Sequence, residues 1–258
     1  MVSFASTVTN DVPMTNIFKT AISTAVSNLA YAGGTFSPGG PTNALVQLNG
    51  FAIPPGQNAI KVVVFFTDGM ANMIQNNFTC PGTTNQAWNF GGWLEAYDPV
   101  GFWDPNTTNT CFSEECPQYA NESGVSFSDP LTCGTVNCGG DGGIPTFCPG
   151  ATTFPSITGT NEPINAPKIV LESQARCIQI AGQMRTNGMY VYCVGLASSM
   201  SADAQPNPVF LQEVANDPNS PFYNSELPVG QAVISGNGAD LNQLFQQIAG
   251  DILLRLTY

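Results

Sequence analysis

Apolar positions recur along this chain in two rhythms, separated by a long stretch that keeps neither. From Met1 to Val8 the pattern MVSFASTV alternates weakly and predicts a short strand that ends in a polar loop. Between Thr15 and Leu29 the residues Phe18, Ile22, Ala25, Val26 and Leu29 share one helical face, with Thr15 or Asn16 placed to cap it and Gly33-Gly34 placed to stop it. A weaker helix is expected over Asn43 to Ala52, after the glycine-rich loop GGTFSPGGPT. Then comes KVVVFF, continuously apolar after its lysine, as strands covered on both faces are. It runs directly into Thr67, Asp68 and Gly69, and a carboxylate at the end of a buried strand needs explaining.

The regular pattern returns at Lys168. Residues 168 to 186 read as a helix with Leu171, Ala175, Ile178, Ala181 and Met184 on a broad face and Asn187-Gly188 as the stop. YVYCVGL, Tyr190 to Leu196, is a second buried strand, and Pro208 to Asn216 is a short helix ended by DPNSP. The last helix begins with Asp240 as N-cap and Gln243 three residues on, and buries Leu241, Leu244, Phe245, Ile248, Ile252 and Leu256. Arg255 in its final turn suits the helix dipole. Helices alternating with apolar strands predict an α/β domain with a parallel sheet.

Residues 73 to 166 differ: Gly, Pro, Asn, Thr, Cys and aromatics with little sustained periodicity. The chain therefore divides into 1–72, an insertion over 73–166, and 167–258. A connection of that length inside a compact domain is a functional insertion or a disordered one. Cys80, Cys111, Cys116, Cys133, Cys138 and Cys148, with Trp88, Phe90, Trp93, Tyr97, Phe102 and Trp103, argue against disorder, whose composition lacks such residues. CFSEEC and CGTVNC repeat a spacing that could suit zinc, but the acidic, Lys-poor composition favours a disulfide-stapled insertion. Trp88, Trp93 and Trp103 form either a ligand platform or a small core between disulfides, and the scarcity of Leu, Ile and Val favours the core. Cys177 lies in mid-helix and Cys193 in mid-strand of the next element. A helix packed on a sheet sits about 10 Å away, beyond disulfide reach, so they are buried free thiols or partners for insertion cysteines rather than for each other.

Composition then removes function classes. The chain has 258 residues with Lys+Arg 6 against Asp+Glu 18, so it is acidic, net −12, and offers no basic surface for a nucleic-acid backbone. It has no histidine, which removes the usual general base, the Ser/His and Cys/His nucleophile pairs and the commonest zinc ligand. No pair of acids has a spacing that demands hydrolytic chemistry, so the expectation is a non-enzyme. An even count of 8 cysteines in such a composition favours an oxidising, extracytoplasmic compartment. No apolar run reaches the roughly 18 residues that a transmembrane helix needs.

VVVFFTDGMAN, the earlier VSFAS and GGT, the later MYVYCVGL and the tail FLQEVANDPNSPFYN…LNQLFQQIAGDILLRL together resemble a von Willebrand factor A domain, and more narrowly the bacterial tight-adherence (Tad) pilus-associated branch of that family. The resemblance covers about two thirds of the chain, on both sides of the insertion. It implies a doubly wound, mostly parallel sheet that binds one divalent cation, such as Mg²⁺, at the carboxyl ends of its strands. Asp68 is then the acidic site residue, acting through a water, and Thr35 or Thr42 supplies a hydroxyl, with Thr35 preferred for its GGT context. The family's Asp-x-Ser-x-Ser motif is absent from this sequence, which leaves the cation weakly held or absent. The first two strands and their helix are absent with it, so KVVVFF is expected to show an unpaired apolar edge. The chain then starts late, keeps a cleaved N-terminal piece, or takes strands from another subunit.

Two functions follow from the resemblance. One is an adhesion or pilus-assembly module that binds a protein partner at the metal face, with the insertion flanking that face. The other, which the low charge and the abundant Asn, Thr and Gly also suit, is a structural subunit that completes its fold with a neighbouring chain and polymerises into a surface fibre or coat.

Overall fold

A computed structural model gives the architecture, and it describes residues 1–29, 34–78, 86–93, 98–103, 126–129, 134–137, 153–164, 166–197 and 205–257. In chain order the first elements are β1 (Val2–Phe4), β2 (Val8–Asn10), α1 (Lys19–Ser27), α2 (Gly39–Gly50) and β3 (Val62–Thr67). The segment read as an insertion supplies β4 (Met73–Phe78), β5 (Gln86–Trp93), β6 (Asp98–Trp103), β7 (Ser126–Asp129), β8 (Gly134–Asn137), β9 (Thr153–Pro155) and β10 (Asn161–Pro163). The chain then runs through α3 (Ala166–Thr186), β11 (Tyr190–Leu196), α4 (Pro208–Ala215), β12 (Ala232–Ser235) and α5 (Leu241–Thr257).

The result is a mixed α/β molecule organised on a parallel three-stranded sheet in the order β12-β11-β3. Helices cover both faces. On one side Phe65, Val191 and Cys193 pack against Leu48 of α2, Cys177, Ala181 and Met184 of α3, and Phe210, Leu211 and Val214 of α4. On the other, Tyr192 and Val194 meet Ile248 of α5, with Leu241, Leu244 and Ile252 around them. The strand order runs one way, so the reversal that defines a doubly wound sheet does not occur among the described strands. Parallel pairing is also a minority arrangement: β4-β5-β6 form an antiparallel sheet, and β1-β2, β7-β8 and β9-β10 are antiparallel pairs. Each of these antiparallel pairs is joined by at most seven residues, too few for a parallel crossover.

Several boundaries shift for identifiable reasons. MVSFASTV is two strands, folded back through Ala5, Ser6 and Thr7, with Phe4 opposite Val8. α1 starts at Lys19 without a side-chain cap, because Thr15 spends its hydroxyl accepting the Ile17 N–H at 3.2 Å. No α1 residue is buried, so its apolar face has no core to meet. α2 begins at Gly39, four residues before the expected Asn43, since Gly39 and Gly40 let it lie directly against Val8 and Phe4.

The buried stripe of α3 runs through Ala166, Val170, Ser173, Cys177, Ala181 and Met184, and Leu171 is exposed. Polar residues enter that stripe because their partners lie beneath it. The Ser173 hydroxyl donates to the Met73 carbonyl at 2.7 Å, and Glu172 accepts from the Ile157 N–H and from Arg176 Nε. A 3-10 turn over Gly238–Asp240, capped by Asn237, precedes α5. Asp240 therefore does not act as its N-cap and instead accepts from the Ser235 hydroxyl at 3.2 Å. Phe245 and Leu256, expected inside, are exposed. Arg255 fixes the end of α5, with Nε donating to the Tyr192 hydroxyl at 3.0 Å and its guanidinium lying 4.6 Å from the Tyr190 ring centre. No described helix is long and apolar enough to cross a membrane.

The loop from α4 to β12 is held by Asn216, buried and left-handed at φ 54°. Its amide donates to the Asn224 carbonyl at 2.8 Å and accepts the Asn224 N–H at 2.9 Å, closing the loop on itself. Asn216→Ala loses both bonds and retains a strained backbone, so it is expected to cost about 2 kcal/mol in a denaturant titration. Asn216→Gly relieves the strain alone and should recover about half of that loss.

Candidate functional site

The carboxyl end of β3 is the place to look, because ligands of open α/β sheets sit at that end of the strands. The strand finishes at Thr67, buried, whose hydroxyl donates to the Gly69 carbonyl at 2.9 Å and accepts the Gly69 N–H at 3.3 Å. This tight turn leaves Asp68 between them, exposed. The turn chemistry of Thr-Asp-Gly therefore comes from the threonine, and the aspartate is free of that duty.

Thr35 is brought to the same region. Its N–H donates to Asn72 Oδ1 at 2.6 Å and its carbonyl accepts the Asn72 N–H at 3.1 Å. The glycine-rich loop is thus clamped on both sides of one residue to the segment that follows Asp68. The same loop is tied to the β1-β2 turn, through Gly34 N–H to the Ser6 hydroxyl at 2.9 Å and Phe36 N–H to the Ala5 carbonyl at 2.8 Å. A side chain at position 34 would run into the Met73 thioether, so this approach requires glycine.

Thr42 is placed elsewhere. It lies in the first turns of α2, its hydroxyl donates to the Pro38 carbonyl at 2.7 Å, and it lines a cleft of about 520 Å³ with Asn43, Gln75, Asn89 and Arg176. That cleft is a polar joint between α2, α3 and the β4-β5 sheet. Arg176 donates to Glu172, to the Gln75 carbonyl at 2.6 Å and to the Pro155 carbonyl at 3.0 Å. Asn89, fully buried, donates to the Ser6 carbonyl at 2.8 Å and accepts from Gln75 at 2.8 Å.

A hexacoordinate cation asks for six oxygens. Asp68 and Thr35 offer one carboxylate and one hydroxyl, and the Thr67 hydroxyl is committed to Gly69. Among the described residues no group of three acidic, Cys or His side chains could hold a metal. A cation held by this pair would take its remaining oxygens from water.

The remaining sequence candidates separate cleanly. Trp88 and Trp93 fall on β5 and Trp103 on β6, where Trp103 stands opposite Asn89 in the register, and their side chains lie outside the described residues. Cys80, Cys111, Cys116, Cys133, Cys138 and Cys148 also lie outside them. Phe90 of β5 and Phe154 of β9 are fully buried, and their rings meet edge-on at 5.7 Å. Cys177 and Cys193 are free thiols, both buried. Burial raises both, and beside them Arg185 is itself lowered by burial. Arg185 donates to the carbonyls of Glu213 and Val214 at the end of α4, which explains a guanidinium in the core. Sequence reading missed Asn72 and Arg185, because each acts on main-chain groups distant in the chain. Comparison with protein-family models, curated proteins and solved structures finds no match for this chain.

Proposed function

We propose that the chain is a non-enzymatic, extracytoplasmic adhesion or pilus-assembly module of the von Willebrand factor A type. Its partner is a protein, engaged at the carboxyl end of the parallel sheet. One observation carries this reading: Asp68 is exposed at the end of β3, on a turn that Asn72 clamps to the glycine-rich loop at Thr35. A carboxylate at a hydrogen-bonded loop junction, with no hydrogen bond or ion pair to another described residue, is suited to a partner's cationic or hydrogen-bonding group. β4 starts at Met73, so the insertion leaves the sheet beside this turn and is placed to add contacts. The reading does not depend on a resident cation.

Asp68→Ala tests it. Since Asp68 is exposed, stability should stay within about 0.5 kcal/mol of the parent. Surface attachment or pilus assembly in the native host should fall by about tenfold or more, as for loss of a charged interface anchor. Normal attachment by a stably folded Asp68→Ala protein would sink the proposal.

A further inference from the structure

β3 has the sequence of a strand made to be covered on both sides, yet it lies at an edge of its sheet. Natural edge strands are blunted by a charge, a proline, a bulge or extreme shortness. Between Val62 and Thr67 β3 has none of these, and its register with β11 runs unbroken from Val62 to Thr67. The Lys61 carbonyl accepts the Tyr190 N–H at 3.0 Å, and Val62 stands opposite Tyr190. Main-chain groups of successive residues in a strand point to opposite sides. Val63 and Phe65 therefore bond towards β11, while the N–H and C=O groups of Val62, Val64 and Phe66 point away from it. Among the described residues nothing bonds to those outward groups. The side chains of the same three residues lie on the α5 face, where Val64 is 41% and Phe66 39% exposed and Phe66 meets the exposed Phe245 at 6.3 Å.

We infer that this edge pairs with the same edge of a second copy of the chain, antiparallel and centred on Val64, joining two three-stranded sheets into one. A row of main-chain groups specifies a strand as the occupant, and the row is symmetric about Val64. Val64 exchanges both bonds with the partner's Val64, and Val62 and Phe66 exchange theirs with the partner's Phe66 and Val62. On the α5 face the pairing sets Phe66 against the partner's Val62 and Val64 against the partner's Val64, covering the exposed apolar surface.

Charge selects the orientation. Lys61, whose Nζ also donates to the Leu48 carbonyl at 2.7 Å, precedes the strand and Asp68 follows it, so antiparallel pairing brings each lysine to the strand end that carries the other copy's aspartate. Parallel pairing would set lysine beside lysine and aspartate beside aspartate. A two-fold contact also closes on itself, giving a dimer and not a filament. The pairing itself rests on the β3 main-chain edge; Asp68 enters only in the choice of orientation, so Asp68→Ala, which tests the partner-binding role, should leave the dimer formed.

Sedimentation velocity on the intact chain tests it across a dilution series. The parent is expected to be a dimer that dissociates on dilution. Val64→Lys sets like charges together at the two-fold axis and should weaken dimerisation more than about tenfold, as should Val64→Glu. An equimolar mixture of the two variants should restore the dimer. Hydrogen exchange on the parent reads the same edge without mutation: the Val62, Val64 and Phe66 amides should become protected as concentration rises. A parent that stays monomeric up to its solubility limit overturns the inference. So does a dimer that Val64→Lys leaves intact, or amides whose exchange ignores concentration.

Discussion

Gly230→Ala should destabilise this protein by more than about 4 kcal/mol, enough to take a domain of ordinary stability to the edge of unfolding. Gly230 lies just before β12, with its N–H donating to the Ala215 carbonyl at the end of α4 at 3.0 Å. A methyl group there would overlap the carbonyl oxygen of Val191 and come within 2.8 Å of the Ala215 oxygen. Val191 belongs to β11, the central strand, and is itself buried. Both obstacles are main-chain atoms of regular elements, Val191 in β11 and Ala215 at the end of α4, so no side-chain rotation relieves the overlap. The methyl fits only if β12 moves away from β11. That breaks the ladder from Cys193 and Ala232 to Leu196 and Ser235, together with the Cys193 N–H bond to the Gln231 carbonyl at 2.9 Å.

Gly236→Ala is the matched control. No atom lies within 4 Å of the added carbon, so the exchange should be neutral or stabilising by up to about 1 kcal/mol. Urea titration of the two variants separates the close approach from a general glycine effect. Equal losses at both positions would refute the packing argument.

Gly230 also shows where sequence reading stopped. β3, β11, α3 and α4 were legible because each carries enough apolar positions for a period to be counted. The hairpin β1-β2 was not, since two three-residue strands hold too few positions to show the turn between them. For α3 the period was right but the face was rotated. The apolar face counts Leu171 as inside and does not include Glu172 or Ser173, yet both are buried, because partners on β4 and the β9-β10 loop satisfy those polar groups. For α5 the stripe was read too wide, because a three-stranded sheet offers one helix a narrow seat: Ile248 is covered, and Phe245 and Leu256 overhang it.

The candidate site divides along the same line. Asp68 at a strand end is a local signal and could be read directly. The GGT context favours Thr35 over Thr42, but the Asn72 bond that ties Thr35 to this turn spans 37 residues, for which no spacing rule exists.

Alkaline pH should unfold the protein through Cys177 and Cys193, the second large effect expected. Both thiols are fully buried and unpaired as a disulfide. Burial is the main cause raising each, the nearby Cys177 raises Cys193 further, and Arg185 opposes the shift on both without reversing it. Because the folded state holds these protons to higher pH than the unfolded chain, their contribution is fully present below the unfolded thiol pKa of about 8.5. Above that value the unfolded state loses protons that the folded state keeps, and stability falls by about 1.4 kcal/mol per pH unit for each thiol, or about 2.7 for the pair. Two pH units then remove about 5 kcal/mol, comparable with the whole stability of many domains. Urea titrations at intervals from about pH 7 to about pH 10.5 should show this slope in the parent, roughly half of it in Cys177→Ala or Cys193→Ala, and little of it in the double variant. Iodoacetamide gives an independent readout, labelling neither thiol in the native protein at neutral pH and both in denaturant. An alkaline slope that the double variant leaves unchanged, or rapid native labelling of either cysteine, would show that these protons are not held by burial.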